Sequence, residues 1–299
     1  MITERLKSAL DASGIQWSEQ VSLRSLSTFR VGGAAELVVY PSDAQQLCRA
    51  IRLIRDEDLL FEVIGRGSNL LFCDGILEGA LILTERLSHV TVEGERILCE
   101  AGATLASIAC RAAEESLTGF EFARGIPGSL GGAIFMNAGA YGGEISSCLV
   151  ESRAFDVESG RILTVTEHGF GYRHSAYIDR PEWICLGGQI RLSRGDRSEI
   201  EETMRELGRK RNEKQPTDRY SAGSYFKRPQ GYFAGKLIED CGLKGFSVGD
   251  AQVSEKHAGF VINRGEATAA DVLRLEEKVK ERVLAEFGVE LEREVRFLR

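Results

Sequence analysis

Two glycine-rich segments suggest that a ligand lies close to the main chain. The first, Gly65-Arg66-Gly67-Ser68-Asn69, follows an apolar run, and successive N–H groups in such a turn can hold a phosphate. It is not a dinucleotide fingerprint, because Leu70 stands where that motif needs a glycine. The second, residues 125–144, has seven glycines and no Lys or Arg, and its interspersed apolar residues argue against a flexible linker.

Glycines among apolar residues indicate that something large approaches the backbone. Close packing of helices or strands is one interpretation. The other is a wall for a flat, partly apolar cofactor whose diphosphate is bound by main-chain N–H groups. The presence of two such loops in one chain favours the second interpretation, and Ser68, Asn69, Ser129 and Asn137 could supply further hydrogen bonds.

Spacing alone identifies no catalytic residue. Arg173 lies in GYRHSAYID and Ser224 in SAGSYFKRP, without the GxSxG turn of a hydrolase nucleophile. Glu294 alternates with apolar residues near the C-terminus, as on a solvated strand edge. The four histidines and seven cysteines lack metal-ligand spacing, so no metal site is predicted.

The elements that must position these residues are mixed strands and helices with several hairpins, which predicts an α+β fold. The patterns predict strands over 34–40, 59–65, 79–84, 183–193 and 289–298, hairpins over 89–102 and 152–166, and helices over 43–58, 104–119, 196–216 and 269–288. Ser42 and Gln45 are expected to form a capping box.

Composition narrows the class of protein. The 299 residues are 43% hydrophobic and 28% charged, with no apolar run of the roughly 20 residues that span a bilayer. The N-terminal segment has no apolar signal-peptide region, so a cytoplasmic protein with reduced thiols is expected. A net charge of −7 argues against nucleic-acid binding.

Several motifs together resemble one enzyme family. They are RVGGAAELVV, GRGSNLL, RGIPGSLGGAIFMNAGAYGGEI, YRHSAYI, AGSYFKRP, GKLIEDCGLKG, GDAQVSEKHAGFVIN and EVRFL, in this order from about Arg30 to the C-terminus. The chain thereby resembles UDP-N-acetylenolpyruvoylglucosamine reductases, which act in peptidoglycan synthesis. It passes directly from YRHSAYI to the segment at Trp183, as in the shorter branch of that family.

The resemblance implies a vanillyl-alcohol-oxidase/PCMH-type fold that holds FAD between two subdomains. These would be residues 1–84, to which the C-terminal strand could return, and residues 85–215; residues 216–299 would bind substrate. NADPH would reduce non-covalently bound FAD, and reduced FAD would convert UDP-N-acetylglucosamine enolpyruvate to UDP-N-acetylmuramate. No nucleic acid or membrane partner is expected, and a monomer is the default.

The resemblance also implies roles for individual residues. Ser224 would be the proton donor, and Arg173 and Glu294 would stabilise the enolate-like intermediate, Glu294 either as a neutral acid or by orienting Arg173. The implied FAD contacts are Arg30, Val31, Gly32, Gly65, Arg66, Gly67, Ser68, Asn69, Ile126, Pro127, Gly128, Ser129, Gly132, Ala133, Asn137, Gly139 and Ala140. The implied substrate contacts are Tyr172, Lys227, Lys236 and Asn263. The alternatives are an oxidase of the same fold and a nucleotide-sugar binder that has lost its chemistry.

Overall fold

A computed structural model describes residues 2–299 of the chain. The chain folds into two compact units. Of the described residues, unit 1 comprises 2–18, 37–66 and 79–210, and unit 2 comprises 19–36, 67–78 and 211–299. The three-part division at residues 84 and 215 stays a prediction.

The described residues form eight α-helices and nineteen strands. The helices are α1 (Glu4–Ala12), α2 (Ala44–Arg55), α3 (Leu105–Glu114), α4 (Leu130–Met136), α5 (Ala176–Asp179), α6 (Arg197–Lys214), α7 (Ala234–Asp240) and α8 (Ala269–Phe287). The strands are β1 (Gln16–Ser22), β2 (Ala34–Tyr40), β3 (Phe61–Ile64), β4 (Leu70–Phe72), β5 (Ile76–Leu83), β6 (Val90–Glu93), β7 (Arg96–Glu100), β8 (Leu117–Thr118), β9 (Gly139–Ala140), β10 (Gly143–Glu144), β11 (Leu149–Asp156), β12 (Arg161–Val165), β13 (Trp183–Arg191), β14 (Ser193–Arg194), β15 (Tyr220–Ser224), β16 (Ser247–Val248), β17 (Ala251–Val253), β18 (Phe260–Asn263) and β19 (Arg296–Leu298).

Unit 1 is built around an antiparallel sheet with the strand order β12-β11-β13-β7-β6. Both predicted hairpins are confirmed, as β6–β7 and β11–β12. Helices α3 and α4 contribute Ile108 and Ile134 to the hydrophobic cluster of this sheet, and α1 and α2 contribute Leu10 and Ile51 to a second cluster. Strands β3 and β5 pair in parallel.

Unit 2 contains an antiparallel sheet with the order β15-β18-β17-β16 and a parallel pair of β4 with β19. Helix α8 buries Val272, Leu275, Val279 and Val283 in the core of this unit. Thr268 and Asp271 form a capping box at its start, and Gly288 ends it in the left-handed conformation at φ +67°. Because both helix ends are satisfied locally, the sequence predicted this helix well.

Three local predictions were wrong in detail. Asp43, and not Ser42, caps α2, because its carboxylate accepts the Gln46 N–H. Helix α3 ends at Glu114, since Ser116 turns to φ +55° well before Gly119. The closing strand covers only residues 296–298.

The closing strand is short because the chain pairs with two different neighbours in succession. Arg293 first forms an antiparallel bridge with Phe226, and β19 then runs parallel to β4. Alternation over 289–298 therefore does not describe one strand. Among the described residues, no helix has the length and hydropathy to cross a bilayer.

Candidate active site

The two predicted ligand loops meet within unit 1 at Gly65 and Ser129. Gly128 O accepts the N–H of Leu105 at 3.0 Å, and Leu130 N donates to Ala103 O at 2.9 Å. These bonds fix the segment 128–130. A Cβ atom added at Gly65 would lie 2.1 Å from Ser129 Oγ, so a side chain there would displace the hydroxyl.

Ser129 carries a buried hydroxyl without a hydrogen-bond partner among residues 2–299. The residue is 2% exposed and precedes α4, yet its side chain makes no capping bond. An unsatisfied buried hydroxyl costs about 1–3 kcal/mol. Such a group is expected where a ligand supplies the missing partner.

The rest of the glycine-rich segment 125–144, called the glycine block below, contributes mainly main-chain atoms to the candidate site. Pro127 and Gly132 are exposed, whereas Ala133 is buried and Ile126 packs against the core of the sheet. Gly139 and Ala140 form β9 and pair with β10. A Cβ at Gly139 would lie 2.6 Å from Gly143 O, so this turn also requires glycine.

Asn137 connects the glycine block to the turn that carries Arg173. Its carboxamide is 1% exposed, donates to Gly171 O at 3.1 Å and accepts the Ser146 N–H at 2.9 Å. Gly171 and His174 close the turn by reciprocal backbone bonds. Arg173 takes φ +54° in it, and its guanidinium lies 5.1 Å from the centre of the exposed Tyr172 ring.

In unit 2, the predicted cofactor segments 30–32 and 67–69 are built on close backbone approaches. A Cβ at Gly67 would lie 2.1 Å from Leu26 O, and one at Gly32 would lie 2.7 Å from Phe72 Cβ. Val31 is buried in the core. Arg30 is exposed, with its guanidinium 5.9 Å from the Tyr220 ring.

Unit 2 also brings Ser224, Glu294 and Asn69 into one neighbourhood. Ser224 is exposed at the end of β15, after Gly223 at φ +82°. The next residue, Tyr225, accepts the Glu294 N–H on its carbonyl at 2.9 Å. Asn69 Nδ2 donates to Glu294 O at 3.2 Å. The predicted proton donor, the predicted carboxyl group and the glycine-rich turn therefore lie on adjoining segments of this unit.

A buried carboxylate below this neighbourhood was missed by sequence reasoning. Glu276 Oε2 accepts the Tyr225 hydroxyl at 2.8 Å and lies 3.3 Å from an Arg293 nitrogen, and Glu276 Oε1 accepts from Lys280 at 2.6 Å. Burial, and then the Glu276 charge, raise the pKa of Tyr225. The signal was an acid within the apolar stripe of α8, next to Leu275.

The predicted substrate contacts are engaged by neighbouring groups. Lys227 pairs with Glu292, and Lys236 with Asp240 one helical turn away. Asn263 is 2% exposed. Its Nδ2 donates to Phe29 O and Arg30 O, and its Oδ1 accepts two further backbone N–H groups. These bonds give Asn263 a role in shaping the segment 29–30.

Arg66 and Ser68 complete the set of predicted cofactor residues. The Arg66 guanidinium lies 3.8 Å from the Glu85 carboxylate, with both side chains about half exposed. Ser68 is half-buried. The turn 65–69 therefore carries the polar side chains of Arg66 and Ser68 in addition to its glycines.

Two protein families match the chain. The family described as "FAD binding domain" matches residues 35–166, and the "UDP-N-acetylenolpyruvoylglucosamine reductase, C-terminal domain" matches residues 215–298. The two family matches together define an FAD-dependent oxidoreductase. The predicted α+β fold, with an FAD-binding part ahead of a C-terminal domain, is confirmed.

Full-length relatives define the family more closely. UDP-N-acetylenolpyruvoylglucosamine reductase from Caldanaerobacter subterraneus subsp. tengcongensis is 45% identical, covering 100% of this chain and 98% of the relative. The Agathobacter rectalis protein of that name is 47% identical, with 92% of each covered. The crystal structure of the Thermus caldophilus reductase is 34% identical, with a TM-score of 0.81, and the match covers 95% of this chain and 100% of that one. The chain belongs to the UDP-N-acetylenolpyruvoylglucosamine reductase family.

The residues present fit FAD. Within unit 1, Ser129 offers a buried hydroxyl that has no partner among residues 2–299, and the missing Cβ of Gly65 leaves room for it. A buried hydroxyl without a partner can donate a hydrogen bond to a bound cofactor.

Proposed function

We propose that the chain reduces the enolpyruvyl ether of UDP-N-acetylglucosamine enolpyruvate to UDP-N-acetylmuramate, with NADPH as the electron source. The observation that carries the proposal is the bond from Glu294 N to Tyr225 O. This bond places the segment of Glu294 beside the segment of Ser224. The reduction of an enol ether can use the hydroxyl of Ser224 and the carboxyl group of Glu294. Membership of the reductase family supports the same reaction.

FAD, when bound, supplies the hydride that adds to the terminal carbon of the enol ether. The electron pair of the double bond then moves to the carbon that bears the carboxylate, as an enolate. Ser224 Oγ donates a proton to this carbon and is reprotonated from solvent. A neutral hydroxyl suffices as general acid, because the carbanionic centre is strongly basic.

Arg173 holds the developing charge. A fixed guanidinium acts as a preorganised partner for the enolate oxygens, without reorganisation during the reaction. Its turn is closed by Gly171 and His174 and anchored by Asn137, so the cation is presented from a defined backbone.

Glu294 supports the same charge in one of two ways. As a neutral acid it donates a hydrogen bond to the enolate oxygen, and as a carboxylate it orients Arg173. An isolated carboxylate next to the enolate would oppose the reaction by like-charge repulsion.

The cofactor is held by backbone N–H groups of the segments 30–32, 65–69 and 126–140, with Ser129 Oγ as a side-chain donor. Lys227, Lys236 and Tyr172 bind the anionic substrate, the two lysines by exchanging their carboxylate partners for it. Asn263 is left out of this set, since its carboxamide is used by backbone groups. The protein acts as a cytoplasmic monomer.

The two half-reactions of Ser224→Ala, measured anaerobically by flavin absorbance, test the proposal. Reduction by NADPH should match the parent, because it needs no proton from Ser224. Reoxidation by the enolpyruvyl sugar should slow by about 10²-fold or more, as for loss of a general acid. Ser221→Ala, on the same strand, is the matched control and should behave as the parent. Parent-like reoxidation in Ser224→Ala would remove Ser224 from the mechanism.

A further inference from the structure

We infer that Glu276 is a positioning residue that sets the places of Ser224 and Glu294 through Tyr225 and Arg293. The inference rests on the proposed function, because it assigns these two residues to the reaction. It depends on one buried carboxylate that contacts both of their chain neighbours.

The geometry of the link is direct. Glu276 lies on the buried face of α8, with 8% of its side chain exposed. One carboxylate oxygen, Oε2, accepts the Tyr225 hydroxyl at 2.8 Å and lies 3.3 Å from Arg293. Tyr225 follows Ser224 and Arg293 precedes Glu294 in the chain. A single atom therefore contacts both segments.

The two segments are also paired with each other. Phe226 and Arg293 form an antiparallel bridge, Glu294 N donates to Tyr225 O at 2.9 Å and Lys227 N donates to Glu292 O at 2.8 Å. The Tyr225 ring packs edge-on against Phe226, with the centroids 5.1 Å apart. A shift of Tyr225 or Arg293 would therefore be transmitted to the pairing that aligns Ser224 with Glu294.

The second carboxylate oxygen of Glu276 has a different partner, which supplies a control for the inference. Glu276 Oε1 accepts from Lys280, one turn further along α8 and more exposed, at 2.6 Å. Lys280 helps to neutralise the buried charge through Oε1, and Tyr225 and Arg293 contact Oε2. If Glu276 served stability alone, losing either partner should have the same kind of effect. If it positions the segments, only the partners on Oε2 should matter for proton transfer.

The rate of proton transfer depends strongly on the exact positions of Ser224 and Glu294. A proton donor must lie within hydrogen-bond reach of its target, and a displacement of about 1 Å can cost about 10²-fold in rate. Burying a carboxylate also costs free energy that an apolar residue would not. The buried Glu276 is therefore better explained by a role in positioning the segments of Ser224 and Glu294 than by a contribution to stability.

The test compares Tyr225→Phe and Glu276→Gln with the control Lys280→Gln. Tyr225→Phe keeps the packed ring and removes only the hydroxyl. Reoxidation of the reduced enzyme by the enolpyruvyl sugar should slow by about 10-fold in the first two variants, while reduction by NADPH stays unchanged. Lys280→Gln should match the parent in both half-reactions.

A second readout needs no cofactor or substrate. Hydrogen exchange of the Glu294 amide in the ligand-free chain should be faster in Tyr225→Phe and Glu276→Gln than in the parent and in Lys280→Gln. Equal exchange in all four proteins, or equal losses in Tyr225→Phe and Lys280→Gln, would overturn the inference. If the parent itself is not reoxidised by the enolpyruvyl sugar, the proposed function fails, and the exchange contrast alone decides whether Glu276 positions the segments.

Discussion

At the residue scale, the site is defined as much by absent side chains as by present ones. Gly65 leaves room for the Ser129 hydroxyl, and Gly67 lets Leu26 O approach. The sequence predicted both glycine segments because glycine among apolar residues is a strong signal. It did not predict that Ser129 would be buried without a partner, since this depends on where neighbouring segments fold.

Ser129→Ala should separate cofactor binding from stability. Removal of an unpaired hydroxyl should leave the free energy of unfolding of the FAD-free protein unchanged or raise it by about 1 kcal/mol. The dissociation constant for FAD should rise about 10-fold through the loss of one hydrogen bond. Denaturant unfolding and a flavin fluorescence titration measure the two quantities.

Ser175→Ala is the matched control for this prediction, because the Ser175 hydroxyl is also buried but donates to Phe135 O at 2.8 Å. It should lose about 1 kcal/mol of stability. If Ser129→Ala bound FAD as tightly as the parent, its hydroxyl would not be a cofactor donor.

At the scale of elements, side-chain bonds hold the reactive turns in place. Asn137 spans 34 residues of sequence to reach Gly171, and Glu276 spans 51 to reach Tyr225. Helices such as α8 could be predicted because their caps and apolar stripes are local features. The long-range hydrogen bonds could not be predicted, because the local sequence does not identify the partner residue.

Asn137→Gly should test the link between the glycine block and the turn of Arg173. Glycine adopts the φ of +42° found at this position without strain, so the variant removes the side chain and its hydrogen bonds and leaves the backbone conformation accessible. We expect a loss of about 1–3 kcal/mol in the free energy of unfolding, because Gly171 O and Ser146 N lose their partner. Hydrogen exchange over residues 171–174 should become faster. Parent-like stability and exchange would show that the turn holds its own shape.

At the scale of the whole molecule, the chain returns to each compact unit more than once. Unit 2 takes residues 19–36 and 67–78 together with the C-terminal part. Hydrophobic periodicity reports which face of an element is buried, but not which distant segment buries it. The elements and the family were therefore accessible from sequence, whereas this assignment of segments to units was not.

Two histidines should make the stability of the molecule pH-dependent. Burial lowers the pKa of His168, beside Ser152, and of His257, whose Nδ1 accepts the Gly259 N–H. The folded state therefore favours the neutral form of both imidazole rings, whereas the same histidines in the unfolded chain take up protons near pH 6.5. Their contribution is therefore complete above that pH and is lost as the pH falls below it.

Denaturant unfolding between pH 7.5 and about 5.5 measures this effect. The free energy of unfolding of the parent should fall across the range, and the fall should be shallower in the double variant His168→Gln/His257→Gln. His89→Gln, at an exposed position, should keep the fall of the parent. The same slope in the double variant and the parent would assign the pH dependence to other groups.

The central claim is that one chain joins NADPH oxidation to reduction of the enolpyruvyl sugar through FAD. The most direct test is an absorption spectrum of the FAD-loaded protein in an anaerobic cuvette, to which NADPH and then UDP-N-acetylglucosamine enolpyruvate are added. We predict that the flavin band bleaches with NADPH and returns in full with the enolpyruvyl sugar. A band that bleaches but returns only when air is admitted, or a protein that takes up no FAD, would contradict the account.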